Sequence, residues 1–249
     1  MELIRERFHF LERLKSAAAH LRNSQIHQFL ASLFERAEAE GFVVSYAQGG
    51  EDLIIKKLLG NKSRGFYVDV GCNNPIQKSN TFKLYLKGWS GICIDGNGSL
   101  IEKFRKVRKR DVCLQQVLSD KDEQLTFYLN ATNPECSTVD SDLAEELSGS
   151  QQIKKVEVHA DTLAHVLETH VGNRHIDLLC VDVEGHDLAI LRGNDFTRYR
   201  PSLICTEAGT DIPQSLNHPT TQFLLDQGYD YVACCSENMY FRDRRGPRD

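Results

Sequence analysis

Phe66-Tyr67-Val68-Asp69-Val70-Gly71-Cys72-Asn73-Asn74-Pro75 is the stretch whose reading decides the fold. Apart from one acid, its first five residues are aromatic or β-branched, the composition of a strand buried on both faces. An acid and a glycine then close it. Glycine lets a turn bring backbone close to a ligand, and the carboxylate can accept a hydrogen bond from that ligand or from a bridging water. One strand later, Gly91-Ile92-Cys93-Ile94-Asp95-Gly96-Asn97 also ends in an acid, placed to take both hydroxyls of a ribose. The two together predict a nucleoside site on a parallel sheet, built from Asp69, Gly71, Cys72, Asn73, Asp95 and Gly96.

Outward from this pair, β-branched runs alternate with apolar residues at helical spacing, the pattern of a mostly parallel sheet covered on both faces. Strands are expected near 66–70, 91–95, 112–117, 176–182, 202–207, 229–235 and 238–242, and helices near 50–59, 80–87, 98–107, 161–170, 186–192 and 219–227. That makes an α/β fold with a seven-stranded sheet. Its last two strands leave no room for a crossover helix, so they must form an antiparallel hairpin turning at Ser236-Glu237-Asn238.

Residues 119–158 interrupt the alternation with one strand-like run, Gln124 to Leu129, and an irregular segment from Asn133 to Thr138. An insertion beside strand ends is a place for substrate recognition. Asn130, Asn133, Ser137 and Thr138 are its candidates for binding hydroxyls. Before the sheet, residues 2–40 carry apolar positions at helical spacing and contain no proline. The expected organisation is an N-terminal helical extension over 1–42, read first as packing on the core, with homodimerisation and a lid over the site as its other roles, and one α/β domain over 43–249.

A chain of 249 residues, 41% hydrophobic and 26% charged, suits one large domain rather than two. Its formal charge of −5 supplies no global attraction to nucleic acid or anionic lipid. Basic residues cluster over 103–110, read as a solvated helix end or a site for a phosphate-rich substrate, and over 242–248, read as a tail. Charges between Met1 and Arg7 fall where a signal peptide needs its apolar core, and no segment approaches the about 20 apolar residues of a membrane span. A cytoplasmic protein is the expectation. The eight cysteines show no metal-binding C-x-x-C spacing, and Cys180 and Cys205 sit inside apolar runs, as buried reduced thiols do.

A nicotinamide dinucleotide and S-adenosylmethionine could each use a strand, a turn and a later acid. Pyrophosphate needs close backbone approach at G-x-G-x-x-G spacing. Gly71 is followed instead by Cys72, Asn73, Asn74 and Pro75. S-adenosylmethionine has no phosphate, so one glycine suffices, and it is the expected cofactor.

Flanking pieces sharpen this reading. Ser45-Tyr46-Ala47-Gln48-Gly49-Gly50-Glu51-Asp52-Leu53 precedes one helix and Ser79-Asn80-Thr81 another, in positions suited to capping. With Val68 to Gly71, Lys87-Gly88-Trp89-Ser90-Gly91-Ile92 and Asp182-Val183-Glu184-Gly185-His186-Asp187, the set resembles the FkbM family of methyltransferases, in the family's order over most of residues 45–210. The resemblance implies a Rossmann-like class I methyltransferase fold, S-adenosylmethionine as methyl donor, and O-methylation of hydroxyls on sugars or polyketide-type natural products. It carries cofactor contacts onto Gln48, Asp69, Gly71, Ser79, Asn80, Asp95 and the segment Val117-Leu118-Ser119. Where family members often show Glu-Pro-Asn, this chain has Asp95-Gly96-Asn97, with an acid one methylene shorter.

On the reacting side, the run Ile176 to Val181 is mainly apolar and then presents Asp182 and Glu184, which share a face if strand conformation persists that far. Close carboxylates either share a proton, raising one toward a useful base, or hold a divalent cation. Methyl transfer is an in-line displacement, so most of its acceleration comes from alignment and a smaller factor from removing the hydroxyl proton. Asp182, Glu184 and His186 are the candidate catalytic residues. Glu207, ending the next strand, would stand beside Asp182, and a second reading makes the two ligands of a Mg2+ ion that orients the acceptor. An acidic helix N-terminus is the competing structural account of Asp182 and Glu184. A scaffold that binds cofactor without turnover is the competing functional one. His218, before Pro219, is a further contact candidate. The expected acceptor is a small molecule or glycan, with a sugar preferred for the polar insertion.

Overall fold

The computed structural model describes residues 40–41, 43–60, 62–207 and 212–246. The chain divides into two units after Ser45. The helices and homodimer contact expected before residue 40 lie outside the described residues.

Helix α1 (Glu51–Leu58) leads into β1 (Phe66–Val70), α2 (Phe82–Leu86), β2 (Ser90–Asp95), α3 (Gly98–Val107) and β3 (Val112–Gln115). The insertion follows as β4 (Val117–Ser119), β5 (Glu123–Asn130), a 3-10 turn at Pro134–Cys136, α4 (Ser141–Ser148) and β6 (Ile153–Thr162). Then come α5 (Leu163–His170), β7 (Leu178–Val181), α6 (Asp187–Arg192) and β8 (Leu203–Glu207). The described chain closes with α7 (Ile212–Asn217), α8 (Pro219–Asp226), β9 (Tyr229–Cys235) and β10 (Asn238–Asp243). Several helices begin where short polar side chains satisfy open N–H groups. Asn97 accepts from Ser99 N, Asp140 from Asp142 N and Leu143 N, and Thr162 from His165 N. At the Ser79-Asn80-Thr81 segment it is the Ser79 hydroxyl that accepts from Phe82 N, at 3.2 Å.

Seven strands form the large sheet, in the order β3-β2-β1-β7-β8-β10-β9. The pairs among β1, β2, β3, β7 and β8 are parallel. β10 runs antiparallel to both β8 and β9. The reversed strand is thus last in sequence yet lies inside the sheet, because the short turn at Ser236-Glu237 folds it back along β9 and into the open edge of β8. Strand order reverses between β1 and β7, and a ligand crevice lies at the carboxyl ends flanking such a switch point.

Gly71 stands at that reversal with φ of 76°, and a Cβ there would lie 1.7 Å from the carbonyl oxygen of Asp182. Asp182 N donates to Val70 O at 3.0 Å, so the two strand ends are closed onto each other. The glycine is needed first for this backbone approach.

Period two sorts the strand residues between two cores. Val68, Val70, Ile92, Ile94, Leu179 and Val181 enter one. Tyr67, Cys93, Leu178, Cys180, Leu203 and Cys205 enter the other. Each fully buried aliphatic side chain of this kind contributes about 1.5–3 kcal/mol. All eight thiols are free, and those of Cys93, Cys180 and Cys205 act as small apolar fillers.

The insertion is more regular than its sequence suggested. β5 and β6 pair antiparallel from Glu123↔Ala160 to Asn130↔Ile153, with β4 parallel along β6. The strand expected over 112–117 breaks at Gln116, whose N–H donates to Asp95 O at 3.0 Å as the chain leaves one sheet for the other. β6 was not expected, although Val156, Val158 and Ala160 alternate with Glu157, His159 and Asp161.

The basic runs differ from expectation in part. Lys103, Arg105, Lys106, Lys109 and Arg110 are exposed around the end of α3, as a solvated helix end requires, but Arg108 is wholly buried. Arg242 belongs to β10 and donates to Leu58 O, and Arg244 pairs with Asp230, so residues 242–246 are tied to the domain. Among the described residues no helix is long and apolar enough to cross a membrane.

Candidate active site

A cavity of about 230 Å³ opens at the carboxyl ends of the strands, at the switch point. Its walls come from the turns after β1 and β7, the ends of β2 and β8, the β9–β10 hairpin, the segment before α1, and the insertion. Glu51 and Asp52, in the first turn of α1, are buried and reach back to Gly49 N (2.7 Å) and Tyr46 N (2.8 Å). These bonds hold the segment that brings Gln48 to the cavity.

On the first wall, Asp69 and Asp95 arrive from the ends of adjacent strands with Gly71, Cys72 and Asn73 between them. Asp69 is 5% exposed; its Oδ2 accepts from the Thr81 hydroxyl at 2.6 Å, and among the described residues its other oxygen has no donor. Burial pushes its carboxyl up to about 6, against the pull of the Thr81 hydroxyl and the Arg108 guanidinium. Asp95 takes one backbone N–H on each oxygen, from Asn97 at 2.8 Å and Asn73 at 3.0 Å. Each oxygen keeps a second lone pair, so the carboxylate is oriented without being exhausted. Burial raises it to about 6 as well, and those two N–H bonds oppose the rise. Beyond them Gly96, Val117, Leu118 and Phe127 form a mainly apolar strip; a Cβ on Gly96 would meet Phe127 at 2.8 Å.

Asp182, Glu184, His186 and Glu207 line the same cavity from the turn after β7 and the end of β8. β7 ends at Val181, and Glu184 adopts φ of 54°, so strand periodicity does not put Asp182 and Glu184 on one face. A turn through Glu184 and Gly185 brings both to the cavity instead, and the Thr138 hydroxyl holds it by donating to Glu184 O at 2.8 Å. Asp182 accepts no side-chain hydrogen bond from the described residues. Burial first, and then the charge of Glu207, push its carboxyl well above the usual range. Glu207 itself is pushed up to about 8 by burial and by Asp187, Glu184 and Glu237. Burial lowers His186 despite nearby Asp120, Glu123 and Asp140, leaving a neutral imidazole 3.3 Å from the Ser119 hydroxyl.

Other expected residues stand elsewhere. Asn80 lines the cavity, but Ser79 does not; its hydroxyl is taken by Phe82 N and Arg108. Ser119 is also outside it, donating to Glu123 at 2.8 Å. Asn130 is fully buried and its carbonyl oxygen accepts from Thr132 N and Asn133 N, while the Asn133 amide reaches Cys136. Ser137 and Thr138 do line the cavity. His218 caps α8 by accepting from Thr220 N.

Lys78, Glu135 and Glu237 line the cavity without having been expected. Lys78 and Glu135 form an ion pair between the turn region after β1 and the insertion. No local pattern marked them, since each faces the site only through a distant loop. Backbone conformation is a further marker. Among the described residues the non-glycines with positive φ are Asn73, Lys78, Glu184 and Ser236, at 52° to 54°, and all of them line this cavity. Such conformations cost about 1–3 kcal/mol each and gather where function over-determines the backbone.

Stability should register the buried acids. Asp69, Asp95 and Asp187 sit at about 6 and Glu207 at about 8 when folded, above their ordinary values. A raised carboxyl contributes stability fully below its unfolded value and loses it as pH rises through the folded one. His186 and His218, lowered by burial, act in the opposite sense below their unfolded value. Four carboxyls outweigh them, so the melting temperature of the ligand-free protein is expected to rise from pH 8 to about pH 5. Thermal melts across that range check this; a flat or inverted profile contradicts it.

Among the described residues no group of three or more His, Cys, Asp or Glu is arranged to hold a metal ion, so Asp182 and Glu207 lack a third protein ligand of those types. In comparison with protein-family models, residues 69–231, well over half of the chain, match the one described as Methyltransferase FkbM domain. No curated protein and no solved structure matches the chain.

Proposed function

The chain belongs to the FkbM family of methyltransferases, and from that premise we propose that it transfers a methyl group from S-adenosylmethionine to a hydroxyl of a sugar or glycan. One observation carries the reading: acids from the ends of β1 and β2, from the turn after β7 and from the end of β8 line a single cavity at the switch point. Residues 43–249 form the catalytic domain in this proposal, and residues 119–158 help receive the acceptor. Support for the latter comes from the two ties of the insertion, Lys78 to Glu135 and Thr138 to Glu184 O.

The residues present fit the cofactor. Asp69 keeps one oxygen for the amino group, Asp95 keeps a lone pair on each oxygen for the ribose hydroxyls, and Gly96, Val117, Leu118 and Phe127 offer a slot for the base. Gln48, Asn73 and Asn80 add polar side chains around the same wall. When bound, S-adenosylmethionine supplies an electrophilic methyl on a positively charged sulfur. Without ligand, burial holds the Asp182 carboxyl well above the usual range and Glu207 at about 8, and a cation seated beside them favours their carboxylates. Asp182 then accepts the proton of the acceptor hydroxyl. His186, its proton affinity lowered by burial, lines the same cavity and is the second candidate to take that proton.

Labelled methyl transfer to a panel of sugars and hydroxylated small molecules tests the proposal, with transfer to a sugar hydroxyl expected. Binding of S-adenosylmethionine without transfer to any acceptor would overturn the catalytic reading in favour of a scaffold. Excess chelator is expected to leave the rate unchanged. Activity lost to chelator and restored by Mg2+ would return Asp182 and Glu207 to the role of metal ligands.

A further inference from the structure

Arg108 follows the end of α3 and has no exposure to solvent. A buried guanidinium is costly unless its donors are matched, and here they are. Nε donates to Pro75 O at 2.8 Å, Nη1 to the Tyr67 hydroxyl at 3.1 Å, and Nη2 to Ser79 Oγ at 2.9 Å and Thr81 Oγ1 at 3.2 Å. Phe82, Tyr85 and Phe104 surround it, with ring centres 4.9–5.5 Å away. Tyr67 passes its own proton to Asp111 at 2.6 Å, and Asp111 lies 3.7 Å from the guanidinium.

The cluster has one outlet to the cavity. Arg108, Thr81, Tyr67 and Asp111 do not line it, whereas Asp69 does, and Asp69 accepts from the Thr81 hydroxyl at 2.6 Å. Pro75 and Ser79 belong to the segment after Gly71 that also presents Asn80. One buried cation therefore grips both ends of that segment and the hydroxyl that orients Asp69.

We infer that Arg108 is a positioning residue of the cofactor wall, holding Asp69 through Thr81 and the segment 75–81 through Pro75 and Ser79, so that one Asp69 oxygen faces the cavity as a carboxylate. This rests on the proposal that Asp69 receives the amino group of S-adenosylmethionine. Arg108 acts on Asp69 through both charge and Thr81. The other charged or titratable groups around Asp69 are Asp111 beside Arg108, Asp95 ending β2, Asp182 after β7, and the thiols of Cys72, Cys93 and Cys180. The carboxylates among these disfavour a negative Asp69. The guanidinium and the Thr81 hydroxyl favour it.

Two variants separate this role from simple support of the fold. Thr81→Val removes the hydroxyl and leaves the cation its other partners; Arg108→Lys keeps a charge and loses the fork. The Asp69 side-chain carboxyl is titrated by NMR in ligand-free protein, and S-adenosylmethionine binding is measured by calorimetry from pH 5.5 to 8.5. In Thr81→Val the Asp69 midpoint should move to higher pH, and cofactor binding should weaken about tenfold near neutral pH and recover in part at high pH. Arg108→Lys should move the midpoint in the same direction. An unmoved midpoint in Thr81→Val, or a loss of affinity equal at every pH, overturns the inference. If the wild-type protein fails to bind S-adenosylmethionine, the cofactor proposal falls, while the NMR midpoints still decide whether Arg108 and Thr81 hold Asp69.

Discussion

Asp182→Asn is expected to lower kcat by roughly two to four orders of magnitude, the range for a lost general base, with the fold retained and S-adenosylmethionine bound more weakly only where the wild-type carboxyl is ionised. The substitution keeps shape and removes charge. Asp182 takes no side-chain hydrogen bond from the described residues, so no network collapses with it. Its carboxyl is held well above the usual range by burial and by Glu207, so as a charged group it opposes folding. The variant should therefore melt no lower than the wild type, and higher at pH 8. The wild-type rate should climb with pH as Asp182 loses its proton, and the variant should lose that limb. Glu207→Gln removes the foremost neighbouring charge, so it should shift the limb toward lower pH. Steady-state rates from pH 6 to 9 with thermal melts check all of this. An Asp182→Asn enzyme retaining a tenth of wild-type activity would remove Asp182 from the role of base.

Gly71→Ala should cost more than about 4 kcal/mol of stability, the size reserved for a few severe mechanisms, and should abolish cofactor binding in whatever protein remains folded. Two effects add. A non-glycine at φ of 76° pays about 1–2 kcal/mol for the left-handed conformation. The new Cβ would also stand 1.7 Å from Asp182 O, a backbone atom that cannot swing aside as a side chain can. Relief requires β1 and β7 to part at the switch point, which separates Asp69 from Asp182. Gly88→Ala is the control, since Gly88 has φ of 91° with nothing within 4 Å of an added Cβ. It should lose only the conformational part, about 1–2 kcal/mol. Denaturant unfolding of both variants compares them, and equal losses would show that contact with Asp182 is not what demands glycine.

Much of the sheet was legible because buried strands announce themselves. β1, β2, β7 and β8 lie within two residues of where β-branched runs placed them, and the hairpin of β9 and β10 followed from the lack of room for a crossover. The Asp69–Gly71 turn and Asp95 were legible for the same reason, being fixed to strand ends whose direction the parallel sheet dictates. β6 was legible but unread: its alternation of Val156, Val158 and Ala160 with polar residues is the ordinary signal of a half-buried strand. The pairing of Asp182 with Glu184 by strand period did not survive, because β7 ends at Val181 and the backbone turns left-handed at Glu184. Ser79 and Ser119 look like ligand contacts in one dimension, yet their hydroxyls are turned to Arg108 and Glu123. A short polar side chain carries no mark of which partner it will meet.

The amino-acid sequence by itself determined the α/β alternation, the acids at strand ends and the single-glycine turn that disfavours a pyrophosphate, since these depend on period, composition and spacing along one chain. Tertiary structure alone decided that Gly71 is required by Asp182 O, that β10 is inserted beside β8, that Lys78, Glu135 and Glu237 reach the cavity, and that Arg108 is interior. The physical reason is common to all four. Close approach, proton affinity and the pairing of a buried charge are set by neighbours brought from far along the chain, and their strength depends on water being excluded where those neighbours meet.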